Sequence, residues 1–165
     1  MRKLLCFILL LAFTALLSAC GDTSKSSPSG GAIKAVIKPT ALTAEQNVAG
    51  INLSITVPLG VAPPLQADGA VDAAATVEII TATPGNQNLP GATYTPATAA
   101  AAGKLAISAI VASGFKPTDE ITIHLKVATG TFPVASDFRL LAFEAFDTNG
   151  ARVTGLNPTL TTIIQ

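Results

Sequence analysis

The chain has no tryptophan, one tyrosine (Tyr94), one histidine (His124) and two cysteines, Cys6 and Cys20, among its 165 residues. Each scarcity excludes something. Without tryptophan, and with a single tyrosine, there is no set of exposed rings on which sugars could stack, and Tyr94 is left as the one candidate ligand contact. A zinc site takes three or four His, Cys, Asp or Glu ligands, and a lone histidine with no such cluster around it does not supply them. Charge is sparse as well: 12% of residues are charged and the formal net charge is zero. There is no basic surplus to neutralise a phosphate backbone, so nucleic acid is excluded as a partner. Aromatic residues are 5% of the chain, so a packed core must rest on valine, isoleucine and leucine with a few phenylalanines.

What is abundant comes first in the chain. Arg2 and Lys3 give a positive start, residues 4–17 are apolar except Thr14, and Leu17-Ser18-Ala19-Cys20 follows. A charged start, an apolar run and small residues before a cut are the three parts of a secretory signal. A bilayer-spanning helix needs about 20 apolar residues, and this run is shorter. The stretch resembles the lipobox of bacterial lipoproteins. That resemblance implies cleavage before Cys20, diacylation of its thiol and attachment of the mature chain to a membrane. Gly21, rather than an aspartate, follows the cysteine, which in a cell with two membranes favours the outer one. Cys6 leaves with the signal. Cutting the first 19 of 165 residues leaves 146, the size of one domain. Loss of Arg2 and Lys3 takes the charge from zero to about −2. With Cys20 acylated no thiol remains for a disulfide, so burial alone must stabilise the fold.

Residues 20–31 then form a tether. The run G-D-T-S-K-S-S-P-S-G-G at 21–31 is small and polar and buries too little surface to offset ordering entropy. Eleven such residues span roughly 17–20 Å. From residue 32 to 165 the hydrophobic period is two. Ile51, Leu53, Ile55 and Val57 alternate with Asn52, Ser54 and Thr56, and Ile121, Ile123, Leu125 and Val127 with Thr122, His124 and Lys126. That is the pattern of strands with one buried face. Residues 105–111, 77–83 and 160–164 are further strands. Residues 138–146 are apolar on both sides, with Leu141, Phe143 and Ala145 opposite Phe138, Leu140 and Ala142; a strand covered on both faces is expected there.

Pro58 ends the first of these strands, and Gly60 with Pro63-Pro64, Pro84-Gly85, Pro90-Gly91, Ser113-Gly114 and Asn157-Pro158 read as turns. Asp147-Thr148-Asn149-Gly150 before Ala151-Arg152-Val153-Thr154 predicts a hairpin. The alanine-rich residues 96–102 have no caps and predict a crossover loop. About seven to nine short strands and no amphipathic helix predict an all-β fold, a single β-sandwich over residues 32–165.

Four segments carry a further resemblance: A-G-I-N-L-S-I-T-V-P-L-G-V at 49–61, G-K-L-A-I-S-A-I-V-A-S-G-F at 103–115, D-E-I-T-I-H-L-K-V at 119–127, and 135–156 ending F-E-A-F-D-T-N-G-A-R-V-T-G-L. In order and spacing they are similar to the cohesin-like β-sandwiches, related in fold to some carbohydrate-binding modules. The resemblance implies a jelly-roll sandwich and a dockerin-like protein partner. No dockerin segment occurs in the chain, the early strand lacks the aromatic character of cohesins, and no contact residue is carried over.

Catalytic constellations are missing. His124 falls on the polar side of its strand with no nucleophile or acid tied to it by a motif. Ser113-Gly114 lacks the preceding glycine of a nucleophile elbow. Asp147-x-Asn149-Gly150 resembles a piece of a calcium loop, but Ala151, Arg152 and Val153 follow where ligands are needed, so it reads as a hairpin. Asp68-Gly69 and Asp72 mark an acidic loop of no particular chemistry, and Asp119 and Glu120 point to opposite faces of a strand. The expectation is a non-catalytic envelope lipoprotein without catalytic residues, metal or cofactor. Its sandwich binds a protein partner or serves structurally; the alternative is a module displaying a polysaccharide-binding surface.

Overall fold

The period-two segments do form strands. The computed structural model describes residues 31–40, 47–81 and 88–165. Residues 1–30, where the signal segment, Cys20 and the tether are expected, and Pro84-Gly85 lie outside the described residues. Ten strands follow in order: β1 (Ala32–Thr40), β2 (Val48–Val57), β3 (Val61–Ala62), β4 (Val77–Ile80), β5 (Asn88–Thr95), β6 (Gly103–Phe115), β7 (Glu120–Val127), β8 (Leu140–Asp147), β9 (Arg152–Val153) and β10 (Asn157–Ile164). The strands beyond those named from the sequence are β1, β3 and β5: β3 is only two residues long, and β5 contains Pro90-Gly91, which reads as a turn. One short helix, α1 (Ala73–Thr76), precedes β4, and Asp72 caps it by accepting a hydrogen bond from the Ala75 N–H at 3.0 Å.

All pairings are antiparallel and build two five-stranded sheets. Sheet A runs β10-β1-β7, and the free edge of β7 is shared by β3 and β4. Sheet B runs β5-β6-β2-β8-β9. The chain stays within one sheet only in passing from β3 to β4, β5 to β6 and β8 to β9. Every other link crosses the sandwich, and the inward residues of both sheets then meet in one core. Ile33 and Ile37 of β1 and Ile121, Ile123 and Leu125 of β7 face Ile51 and Ile55 of β2 and Leu105 and Val111 of β6. The fold is an all-β sandwich.

Several local expectations change. The link at 96–102 joins the adjacent antiparallel strands β5 and β6, so it is a hairpin loop rather than a crossover. Ser113-Gly114 is no turn. It lies inside β6, where the pairing with β2 jumps from Gly50↔Ile110 to Val48↔Phe115, and Gly114 takes φ +80° in that bulge. Pro90-Gly91 likewise sits within β5. That strand is a sheet edge, where a proline costs no ladder bond. Thr122, on the polar side of β7, is fully buried, and its hydroxyl has no hydrogen-bond partner.

The strand read as covered on both faces is instead interrupted. Ser54 pairs with Ala142 but Ile55 with Leu140, so Leu141 is an extra, bulged residue. The bulge reverses the alternation: Leu140 packs on the core while Leu141 is exposed. Beyond β8 lies only the two-residue β9, so β8 is nearly an edge. Phe138 stands outside the strand and is buried.

Candidate functional site

The outer face of sheet B is set by the registers of four strands. Residues that point away from the core fall into rows running across β5, β6, β2 and β8. One row is Leu89, Ile110, Gly50 and Phe146; the next is Gly91, Ser108, Asn52 and Glu144; the next is Thr93, Ala106, Ser54 and Ala142. Thr95, Lys104 and Thr56 follow. The two middle rows consist almost entirely of small side chains, and a shallow, open groove of about 580 Å³ lies over them.

Glycine at position 91 keeps that groove open. A Cβ there would stand 2.5 Å from Ser108 Oγ, so any larger residue would displace the serine. Apolar Leu89 and Ile110, both exposed, border the groove on one side. Lys104 lines it on the other. Glu144 is held by Arg152 of β9 at 3.0 Å, with both side chains near half exposure. Such a pair is worth about 0–1 kcal/mol. Among the described residues the groove therefore offers hydroxyl and amide groups, the Lys104 ammonium and close access to the backbone. Among the described residues its lining holds no aromatic ring, no histidine and no cysteine.

The residues singled out from the sequence lie elsewhere. Tyr94 is in β5 rather than in a loop, and its side chain faces inward against the core. Its hydroxyl donates to the Val61 carbonyl of β3 at 2.9 Å, which ties the edge of sheet B to sheet A. Asn88 makes a second tie along the same edge, donating to the Ile79 carbonyl at 3.2 Å. His124 is on the outer face of sheet A, across the sandwich from the groove. It does have an acid partner, Glu78 Oε2 at 3.0 Å, brought in from β4 by the β4–β7 pairing. No sequence motif joins residues 78 and 124, and the pairing register alone makes them neighbours.

Asp147 is committed to its hairpin. Its Oδ1 accepts the N–H groups of Asn149 and Ala151, both at 2.8 Å, and Gly150 takes φ +79°. Asp119 is buried just before β7 and accepts from the Lys116 N–H at 2.8 Å, while Glu120 pairs with Lys38 across the sheet. The two carboxylates thus serve different local structures. Asp68 accepts the Ala70 N–H in its own loop.

The groove was not legible as a site from the sequence, because it depends on which small residues four separate strands set side by side. Its only local trace is the alternation of Asn52 and Ser54 with the apolar residues of β2. No protein-family model, curated protein or solved structure matches the chain.

Proposed function

We propose that this protein is a non-catalytic lipoprotein of the cell envelope, anchored through an acylated Cys20, whose sandwich binds a protein partner on the outer face of sheet B. In a cell with two membranes the Gly21 position favours the outer one. The observation that carries the binding reading is the groove across β5, β6, β2 and β8. Gly91, Ala106, Ser108, Ser54 and Ala142 leave its floor low enough for a second main chain to approach. Leu89 and Ile110 add exposed apolar area beside it, and such a pairing of apolar contact with hydrogen-bonding groups is typical of protein interfaces.

A polysaccharide ligand is the second reading, and the hydroxyls and amide of Thr93, Ser108, Ser54 and Asn52 favour it. Against it, among the described residues the lining of the groove holds no aromatic ring, and the half-buried Tyr94 packs against the core with its hydroxyl bonded to Val61, away from this groove. One experiment separates the two. Residues 32–165 are used as bait on envelope extract and, in parallel, passed over a polysaccharide matrix. The protein reading expects saturable capture of a partner that Ser108→Arg and Asn52→Arg abolish and Thr161→Arg, on sheet A, leaves intact. Retention on the matrix, lost in the same two variants, would replace it with the glycan reading. Indifference of both assays to the groove variants would remove the groove as the site.

A further inference from the structure

The place where the tether enters the domain coincides with a group of exposed apolar side chains. The Gly31 carbonyl accepts the Val127 N–H at 2.9 Å, so the chain arrives beside the C-terminal end of β7. The next residue, Ala128, donates to the Gly60 carbonyl at 2.8 Å. A Cβ on Gly60 would in turn fall on the Thr131 side chain. The loops carrying Leu59 and Phe132 are therefore neighbours at that end of the sandwich. Both side chains stand out of it, Leu59 60% and Phe132 69% exposed. Leu65, 51% exposed, lines the same open groove as Leu59, together with Tyr94, Pro96 and Lys126.

Cations stand at the same end of the sandwich. Lys126 is in the groove lining. Lys104 and Arg139 are exposed beside the end of β2, where Thr56 pairs with Lys104 and its N–H donates to the Arg139 carbonyl. The acids on the adjoining loops are turned to local work: Asp68 accepts the Ala70 N–H and Asp137 the Val134 N–H. Exposed leucine and phenylalanine flanked by lysine and arginine is the composition of a surface that settles at a bilayer interface with anionic headgroups.

We propose that this end of the sandwich rests on the lipid bilayer, with Leu59, Leu65 and Phe132 entering the interface and Lys104, Lys126 and Arg139 at headgroup level. The occupant follows from the chain itself. Eleven residues separate Cys20 from β1, roughly 17–20 Å as a Gly/Ser-like linker, and they arrive at this end and not at the other. A lipid at Cys20 on a flexible tether holds the domain near the bilayer without fixing its orientation, and a second contact at this end would orient the sandwich so that sheet B is presented side-on to the envelope. The inference rests on acylation of Cys20.

The test uses the full mature protein in vesicles of phosphatidylethanolamine and phosphatidylglycerol containing doxyl-labelled lipid. Cys6 leaves with the signal and Cys20 is acylated, so Phe132→Cys and Asn149→Cys each introduce one reactive thiol, at opposite ends of the sandwich. A bimane label at position 132 should shift its emission to the blue and lose intensity to the doxyl group; at position 149 it should do neither. A label at 132 that is not quenched, with one label per chain, overturns the membrane-facing surface and leaves acylation standing. A blue shift at 132 without doxyl quenching overturns it too, since a protein then covers the patch. Two labels per chain would mean that Cys20 is free, which removes the anchor and this inference together.

Discussion

Four consecutive residues of β7 test the sandwich from both sides at once. Ile123 and Leu125 are 0% and 2% exposed and point into the core, whereas the His124 side chain between them is 44% exposed beside Glu78. Truncating either aliphatic residue to alanine removes three carbons, about 2.4 kcal/mol at roughly 0.8 kcal/mol per buried methylene. The cavity left behind adds to this, since neighbours on two facing sheets cannot close over it, and Leu or Ile to Ala in cores costs about 2–5 kcal/mol. We therefore expect about 3–4 kcal/mol for Ile123→Ala and for Leu125→Ala, a large part of the roughly 5–15 kcal/mol by which such domains are stable. His124→Ala loses only a half-exposed pair and should cost less than about 1 kcal/mol. Thr122→Val should go the other way. It replaces a buried hydroxyl without a partner by a methyl group of similar size and should gain about 1 kcal/mol. Urea unfolding of residues 32–165, followed by far-ultraviolet circular dichroism, gives all four values. A loss concentrated at His124 with Ile123 and Leu125 silent would mean that the faces of β7 are reversed, and the burial argument would fail.

Cys20→Ser should block acylation and leave unprocessed precursor, and intact mass spectrometry of the wild type showing a mature chain without added lipid would refute the anchor. Residues 32–165 should fold alone in one cooperative transition that neither reductant nor chelator shifts; a chelator-dependent melt would locate a missed ion, with the Asp147 hairpin the first place to look. Tyr94→Phe should lower stability by about 1 kcal/mol, because the Val61 carbonyl loses its tie to the other sheet, and a neutral result would show that this edge is held closed by packing alone.

The alternation of apolar and polar residues determined that β2, β6 and β7 are strands, and which of their faces is buried, because a strand repeats every two residues whatever it packs against. Ile51, Leu53, Ile55 and Val57 needed no partner to be recognised as core. Turn chemistry determined the β8–β9 hairpin in the same local way, through Asp147, Asn149 and Gly150. The proposed anchor at Cys20 likewise rests on a linear pattern, Leu17 to Cys20, and on nothing tertiary. Registers were not local. The bulge at Leu141 exists only in the pairing of β8 with β2, where Ser54 meets Ala142 and Ile55 meets Leu140, and no period in residues 138–146 encodes it. Ser113-Gly114 and Pro90-Gly91 have the composition of turns, yet one became a bulge and the other an edge-strand residue pair because neighbouring strands supply the pairing that local propensity lacks. The Glu78–His124 contact, the inward Tyr94 with its bond to Val61, and the groove of Gly91, Ser108, Asn52 and Ala106 each join residues from separate strands. Only the tertiary pairing decided them, since side chains tens of residues apart become neighbours through backbone register and not through spacing along the chain.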